Sequence, residues 1–315
     1  MRRLFFLCLA LIFLAPQAAL ATQVKALKVT VLSTMLTSGD EIAEWGYAAL
    51  VEVDGRRILF DTGAKPDTVL TNAKLMGIDL STVEEVVISH NHGDHTGGLM
   101  TLRRELMKVN PKALAQVHVA EGFFLPQVGD GPRNELNHQK AAFEATGGRF
   151  IVHRGPHELA PGVWLTGPVP RRTQEHNYPP SLRVQLSSGP APDTVPEDQA
   201  MVFETADGPV ILTGCGHAGI VNIVEDANAL THTKTVLAVI GGLHIFAASD
   251  ATLAWTGEQL KAVGLRYLLA GHCTGLEATW RLRQITGLDR RTAAYGAVGS
   301  TFVLGRGIDP GALAR

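Results

Sequence analysis

One stretch, Ser89-His90-Asn91-His92-Gly93-Asp94-His95-Thr96-Gly97-Gly98, constrains this chain more than any other. It sets four strong ligand residues, His90, His92, Asp94 and His95, at the end of the β-branched run Val83 to Ser89. Imidazole and carboxylate donors suit zinc, iron or manganese, and no thiolate is required. On extended backbone His90 and His92 share a face and can chelate a single ion. Asp94 and His95 fall where the loop turns, so they can address a second ion nearby. Gly93, Gly97 and Gly98 let the backbone fold tightly around such a centre.

The rest of the composition narrows the partners. The chain has 315 residues, 45% of them hydrophobic and 18% charged, enough to bury a large core. A formal net charge of −2 argues against a nucleic-acid-binding surface. Met1 to Ala21 reads as a secretory leader: Arg2 and Arg3, an apolar run from Leu4 to Ala15, Pro16, then Ala19-Leu20-Ala21. The apolar run is shorter than the roughly 20 residues of a spanning helix. The expectation is therefore a periplasmic or secreted protein with no stable membrane insertion after cleavage, and residues 22–315 as one domain. Cys8 leaves with the leader, and Cys215 and Cys273 remain. They are either metal-site residues or a single local disulfide. Nothing in the residues specifies an oligomeric state.

Strands and helices alternate in both halves, as in sheets covered by helices. Strands are expected over Ala26–Met35, Ala48–Val53, Arg57–Phe60, Val83–Ser89, Ala115–Val119, Met201–Glu204, Val210–Thr213, Val236–Ile240 and Tyr267–Ala270. Asp54-Gly55 reads as the turn of a hairpin. Helices are expected from Pro66 to near Gly77 and over Gly98–Val109, Gly219–Leu230 and Ala251–Val263. Between Pro126 and Pro196 a Pro- and Gly-rich region holds a helix near Gln139–Ala145 and strands near Phe150 and Val163. Its tail, Gly189 to Pro196, reads as a surface loop.

The His-x-His-x-Asp-His motif resembles that of the metallo-β-lactamase superfamily. The run Ala48 to Gly63, AALVEVDGRRILFDTG, is similar to that superfamily's opening hairpin and Asp-Thr-Gly turn. Four later segments resemble the subgroup labelled dihydropterin-methyl-ribofuranosyl-aminobenzene-phosphate synthase-like. They are Thr166–Arg171 (TGPVPR), Thr213–Ile220 (TGCGHAGI), Gly241–His244 (GGLH) and Gly271–Gly275 (GHCTG). The resemblance implies an α/β fold, an αββα four-layer sandwich with metals at one edge of two sheets. It also implies His90, His92, Asp94, His95 and His272 as ligands. The superfamily's bridging aspartate is replaced by Cys215, and its third histidine, expected before Val210, is missing from Pro196–Ala200. His217 is the expected substitute. Cys215 and Asp198 are further candidates, and Asp61 is expected to support a ligand rather than be one.

These residues point to a metal-dependent hydrolase that uses a metal-bound hydroxide on a small-molecule ester, lactone, phosphoester or lactam. Zinc is the expected metal, one or two ions per chain, with iron or manganese as alternatives. Asp94 would hold the nucleophile, His244 would contact substrate or transfer a proton, and Arg171 would meet an anionic group or form a surface ion pair. The alternatives are a noncatalytic metal-containing binding protein and a pterin-type condensing enzyme, as the subgroup label implies.

Overall fold

Short β-branched runs and tight turns build two sheets that face each other. The computed structural model describes residues 23–129, 134–178 and 180–312, so the leader reading falls outside the described residues. In chain order the strands are β1 (Leu27–Ser33), β2 (Ala48–Val53), β3 (Arg56–Phe60), β4 (Glu85–Val87), β5 (Gln116–Ala120) and β6 (Arg149–His153). They continue as β7 (His157–Ala160), β8 (Val163–Leu165), β9 (Arg183–Leu186), β10 (Gly189–Pro192), β11 (Met201–Phe203) and β12 (Val210–Thr213). The last are β13 (Ala238–Gly241), β14 (Tyr267–Ala270), β15 (Ala293–Tyr295), β16 (Thr301–Val303) and β17 (Gly307–Asp309). The helices are α1 (Thr68–Leu75), α2 (Gly93–Thr96), α3 (Leu99–Leu106), α4 (Asn134–Glu144), α5 (Ile220–Leu230), α6 (Asp250–Ala262) and α7 (Leu276–Thr286).

One sheet runs β17-β16-β1-β2-β3-β4-β5-β6, and the other β15-β14-β13-β12-β11-β8-β7. Period-two alternation puts each strand's two faces to different uses. In β2, Ala49, Val51 and Val53 meet Met201, Phe203, Val210 and Leu212 of the opposite sheet. Ala48 and Leu50 point the other way, into a core shared with α1, α3 and α4. On the second sheet Ile211 and Val239 pack under α5, α6 and α7. The layers are thus helix, sheet, sheet, helix, as expected. Among the described residues no helix is long and apolar enough to cross a membrane.

Strands β3 to β6 are parallel, and so are β12 to β15. Parallel neighbours send their carboxyl ends to the same side, where open α/β sheets place ligands. The loops after β3 and β4 interlock there. Thr62 N–H and Oγ donate to the His95 carbonyl at 2.8 and 2.9 Å, and Gly97 N–H donates to Gly63 O. A Cβ on Gly98 would stand 2.2 Å from the Thr62 carbonyl oxygen, which is why two glycines end the motif.

Some expectations need correction. Gly189–Pro196 is not a surface loop: Gly189–Pro192 pairs with β9 as a two-stranded ribbon, where prolines remove no hydrogen bond from a central ladder. The remainder turns inward, with Asp193 and Val195 fully buried. The ladder of β4 spans only Glu85–Val87, because the chain leaves the sheet early to reach the site. Strands β7, β15, β16 and β17 and helix α7 have no counterpart in the sequence reading; most are three-residue strands, too short for a periodic signal.

The two sheets are also joined at an edge by histidines. His118 Nδ1 and His153 Nε2 lie 3.0 Å apart, and His153, at the end of β6, stacks on His157 of β7 at 4.3 Å. Burial first, then the neighbouring His157 and His118, lower the His153 pKa to about 4. An unfolded chain takes up this proton near pH 6.5 and the folded one only near 4, so its contribution is whole above 6.5 and lost as pH falls. Urea unfolding across pH should therefore show a shallower loss of stability between pH 6.5 and 4 in His153→Gln. A second expectation concerns Gly98→Ala, which should lose about 2–3 kcal/mol in the same assay. Gly155→Ala, whose Cβ would meet nothing within 4 Å, should stay within about 0.5 kcal/mol.

Candidate metal centre

Three groups of donor atoms meet where the carboxyl ends of β4, β12, β13 and β14 converge. Within each group all donors lie within 4.8 Å of one another. The first is His90, His92 and His217, all buried. The second is Asp94, His95, Cys215 and His272; the third is Cys215, His244 and Cys273. The first two are adjacent, with the rings of His90 and His95 at 4.2 Å.

Hydrogen bonds behind the rings fix which nitrogen faces inward. Asp61, at the end of β3, is fully buried and accepts from Ser89 N–H at 2.7 Å and Ser89 Oγ at 2.8 Å. It also accepts from His95 Nδ1 at 2.7 Å. Because the Ser89 hydroxyl donates to Asp61, it accepts from His90 Nδ1 at 2.9 Å. His217 Nδ1 donates to the Asn177 carbonyl. Each of these three imidazoles therefore turns Nε2 toward the cluster. His217 Nε2 is buried with no hydrogen-bond partner among the described residues, an orphaned acceptor that a cation would satisfy. The donor sets fit a divalent metal: three imidazoles in one group, and imidazole, carboxylate and thiol in the other.

Charge in the second group is mutual. Burial would raise the Asp94 carboxyl, but His95, His272 and His92 hold it well below the usual carboxylate range. Asp94 Oδ2 lies 3.2 Å from His272 Nε2 and 3.8 Å from His95 Nε2. Burial lowers and Asp94 and Asp61 raise the His95 pKa, to about 9, so a cation taking Nε2 displaces a proton. Cys215 Sγ lies 3.1 Å from the same Nε2. Burial, then a hydrogen bond it donates to Cys273, pushes the Cys215 thiol up; burial, then His92 and His244, keeps His217 neutral.

The geometry sorts the remaining expected residues. Asp198 lies outside the three donor groups. Its Oδ2 accepts from Ala218 N–H at 2.8 Å, so it holds the His217 loop, and burial raises its pKa to about 7. Arg171 corrects the reading of it as a substrate contact or surface ion pair. Its guanidinium donates to the carbonyls of His217, Thr194 and Val195 and lies over the Tyr178 ring, so its donors serve the protein's own backbone. His244 stands at the boundary. Its ring is 4.3 Å from that of His217, and it lines a 790 Å³ cavity with His176, Tyr178, Phe246 and Trp255.

Sequence reasoning passed over Ser89 and Asn177, which carry no signal by type. Of the two readings it left for Cys215 and Cys273, metal-site residues or a local disulfide, the structure has both cysteines free. Asp61, His244 and His272 share positive φ values of 56°, 48° and 46°, an uncommon conformation away from glycine that clusters at functional sites.

Comparison with known proteins agrees with this geometry. The family model of the metallo-β-lactamase superfamily matches residues 46–272. A Methanocaldococcus jannaschii protein named 7,8-dihydropterin-6-methyl-4-(β-D-ribofuranosyl)-aminobenzene-5'-phosphate synthase is 31% identical over 244 residues. That match covers 75% of this chain and 83% of the relative. The crystal structure of Tm1679, described as a metal-dependent hydrolase of the β-lactamase superfamily, superposes with a TM-score of 0.68 at 26% identity. It covers 82% of this chain and 93% of that one. YhfI from Bacillus subtilis, at 15% identity and TM-score 0.55 over 89% of this chain and all of its own, shares the fold. With its motif at the end of β4, its facing sheets and this match across most of its length, the chain belongs to the metallo-β-lactamase superfamily.

Proposed function

We propose that this chain is a metal-dependent hydrolase acting on a small ester, lactone, phosphoester or lactam. The observation that carries the reading is the pairing of two donor groups, His90/His92/His217 and Asp94/His95/Cys215/His272, in one cleft beside the cavity. These residues would hold divalent ions, whose chemistry when bound would be to lower the pKa of water to about 7 and to polarise a carbonyl or phosphoryl oxygen. The chain's own residues do the rest. Asp94, partly exposed where its group neighbours are buried, accepts the proton of the attacking water. His244, on the cavity wall, meets the leaving group as a proton donor. Exposed Trp45 and Phe246 stand with ring centroids 5.5 Å apart, Phe246 on the cavity wall and Trp45 5.1 Å from His272. Zinc is the ion best matched to imidazole, carboxylate and thiolate together. The leader-like N-terminal sequence supports a periplasmic or secreted protein as part of this reading.

A second reading has its own support. The archaeal relative, 31% identical, is named as a synthase, so a pterin-type condensation is the competing chemistry. Metal-loaded protein should hydrolyse at least one member of a panel of esters, lactones, phosphoesters and lactams. Formation of the product in the relative's name, with no hydrolysis across the panel, would establish the synthase instead.

Two mutations test the roles. Asp94→Asn should lower turnover by about 100-fold or more with an unchanged thermal midpoint; retained full turnover would remove Asp94 from the chemistry. Asp61→Asn should weaken metal binding by about 10–100-fold in chelator competition, since its amide cannot accept every bond the carboxylate takes.

A further inference from the structure

The function proposed above draws on Cys215 and His244 separately and leaves Cys273, the remaining member of the third donor group, unused. Cys215 follows β12, His244 follows β13 and Cys273 follows β14, so three neighbouring parallel strands deliver one donor each. The sulfurs of Cys215 and Cys273 are both buried and stand 3.2 Å apart. They meet across the end of β13 because Gly242 has no side chain. A Cβ there would lie 2.9 Å from Cys273 Sγ and 3.3 Å from the Cys215 Cα. His244 Nδ1 is buried and has no hydrogen-bond partner among the described residues, and the backbone N–H of His244 donates to Cys273 Sγ at 3.2 Å.

We infer that Cys215, His244 and Cys273 form a third metal position, rich in thiolate, that takes a borderline-to-soft divalent cation such as zinc and shares Cys215 with the Asp94/His95/His272 group. Both cysteines are free thiols. Two thiolates on one tetrahedral zinc, with bonds of about 2.3 Å, stand about 3.7 Å apart, whereas a disulfide needs about 2.0 Å. The observed separation is closer to the metal-bound one. Two thiolates and one imidazole leave a fourth position for solvent or for a group entering from the cavity that His244 lines. An ion on Nδ1 leaves Nε2 as the protonated ring nitrogen, so this position also sets the tautomer of the proton donor in the proposed hydrolysis. In the sharing of Cys215 it rests on the metal reading of the neighbouring group.

Cobalt(II) titration of reduced, metal-free, full-length protein tests it, because cobalt–thiolate bonds give a near-ultraviolet charge-transfer band that imidazole and carboxylate do not. Cys273→Ser should bind one ion fewer than the parent. Its band should fall to about one third, since one of three cobalt–sulfur bonds remains. His92→Ala should lose an ion and keep the band, which separates failure of the histidine group from failure of this position. An equal stoichiometry and equal band in the parent and Cys273→Ser would overturn the inference. Should Cys273→Ser not fold, alkylation of the parent followed by peptide mass spectrometry replaces it. Cobalt should protect both Cys215 and Cys273; an unprotected Cys273, or a Cys215–Cys273 disulfide that resists metal loading, would equally overturn it.

Discussion

The buried carboxylate of Asp61 is the interaction on which the centre depends. A group of imidazoles taken out of water cannot settle its own protonation: each ring has two nitrogens, and only a lone pair can take a cation. Asp61 accepts from His95 directly and, through the Ser89 hydroxyl, fixes His90. One carboxylate thus sets a ring in each of the two adjacent donor groups. It is also the counter-charge that makes burial of this cluster tolerable, because an unpaired charge at zero exposure would be costly. Its place, at the end of β3 with φ of 56°, is a strained one that the interlocked loops of Thr62 and Gly97 hold in position.

From that point the architecture has little freedom. The motif loop leaves one sheet at the end of β4, while Cys215, His244, His272 and Cys273 leave the other at β12, β13 and β14. Bringing both sets within bonding reach of common ions requires the sheets to face each other with their parallel halves aligned. The interior between them, Val29, Val51, Met201, Phe203 and Leu212 among others, is apolar and buried. A rigid scaffold of this kind is what a preorganised centre needs, since donor positions are then fixed by strand ends rather than by loop fluctuation.

Much of this was legible in the residues. Apolar runs such as Ala48–Val53, and the turn at Asp54 and Gly55, announced the first sheet. The spacing His90-x-His92-x-Asp94-His95 at a strand end announced chelation, and the separation into one pair for each of two groups holds in the structure. Strands of three residues, such as β15 to β17, were not legible because hydrophobic periodicity needs more length than that. Pairing partners without chemical signature, such as the Asn177 carbonyl behind His217, become visible only when the fold brings residue 177 to residue 217. His118 and His153, 35 residues apart in the chain, are neighbours because β5 and β6 are.

The departure from the family pattern has a structural answer. The segment where a third histidine was sought, Pro196–Ala200, still serves the centre, but by holding it. Glu197 accepts from Asn91 N–H at 3.1 Å, inside the motif loop, and Asp198 accepts from Ala218 N–H beside His217. The segment leads into β11, whose first residue pairs with Leu212 near the end of β12, so it lies beside the loop that carries His217 and clamps it. Arg171 and Asn177 hold the same loop from outside through the His217 carbonyl and ring. The first donor group therefore draws two histidines from a motif tied into a sheet and one from a loop secured at Ala218, at the His217 carbonyl and at Nδ1. The placement of its donors depends as much on residues 171–178 and 193–198 as on the histidines themselves.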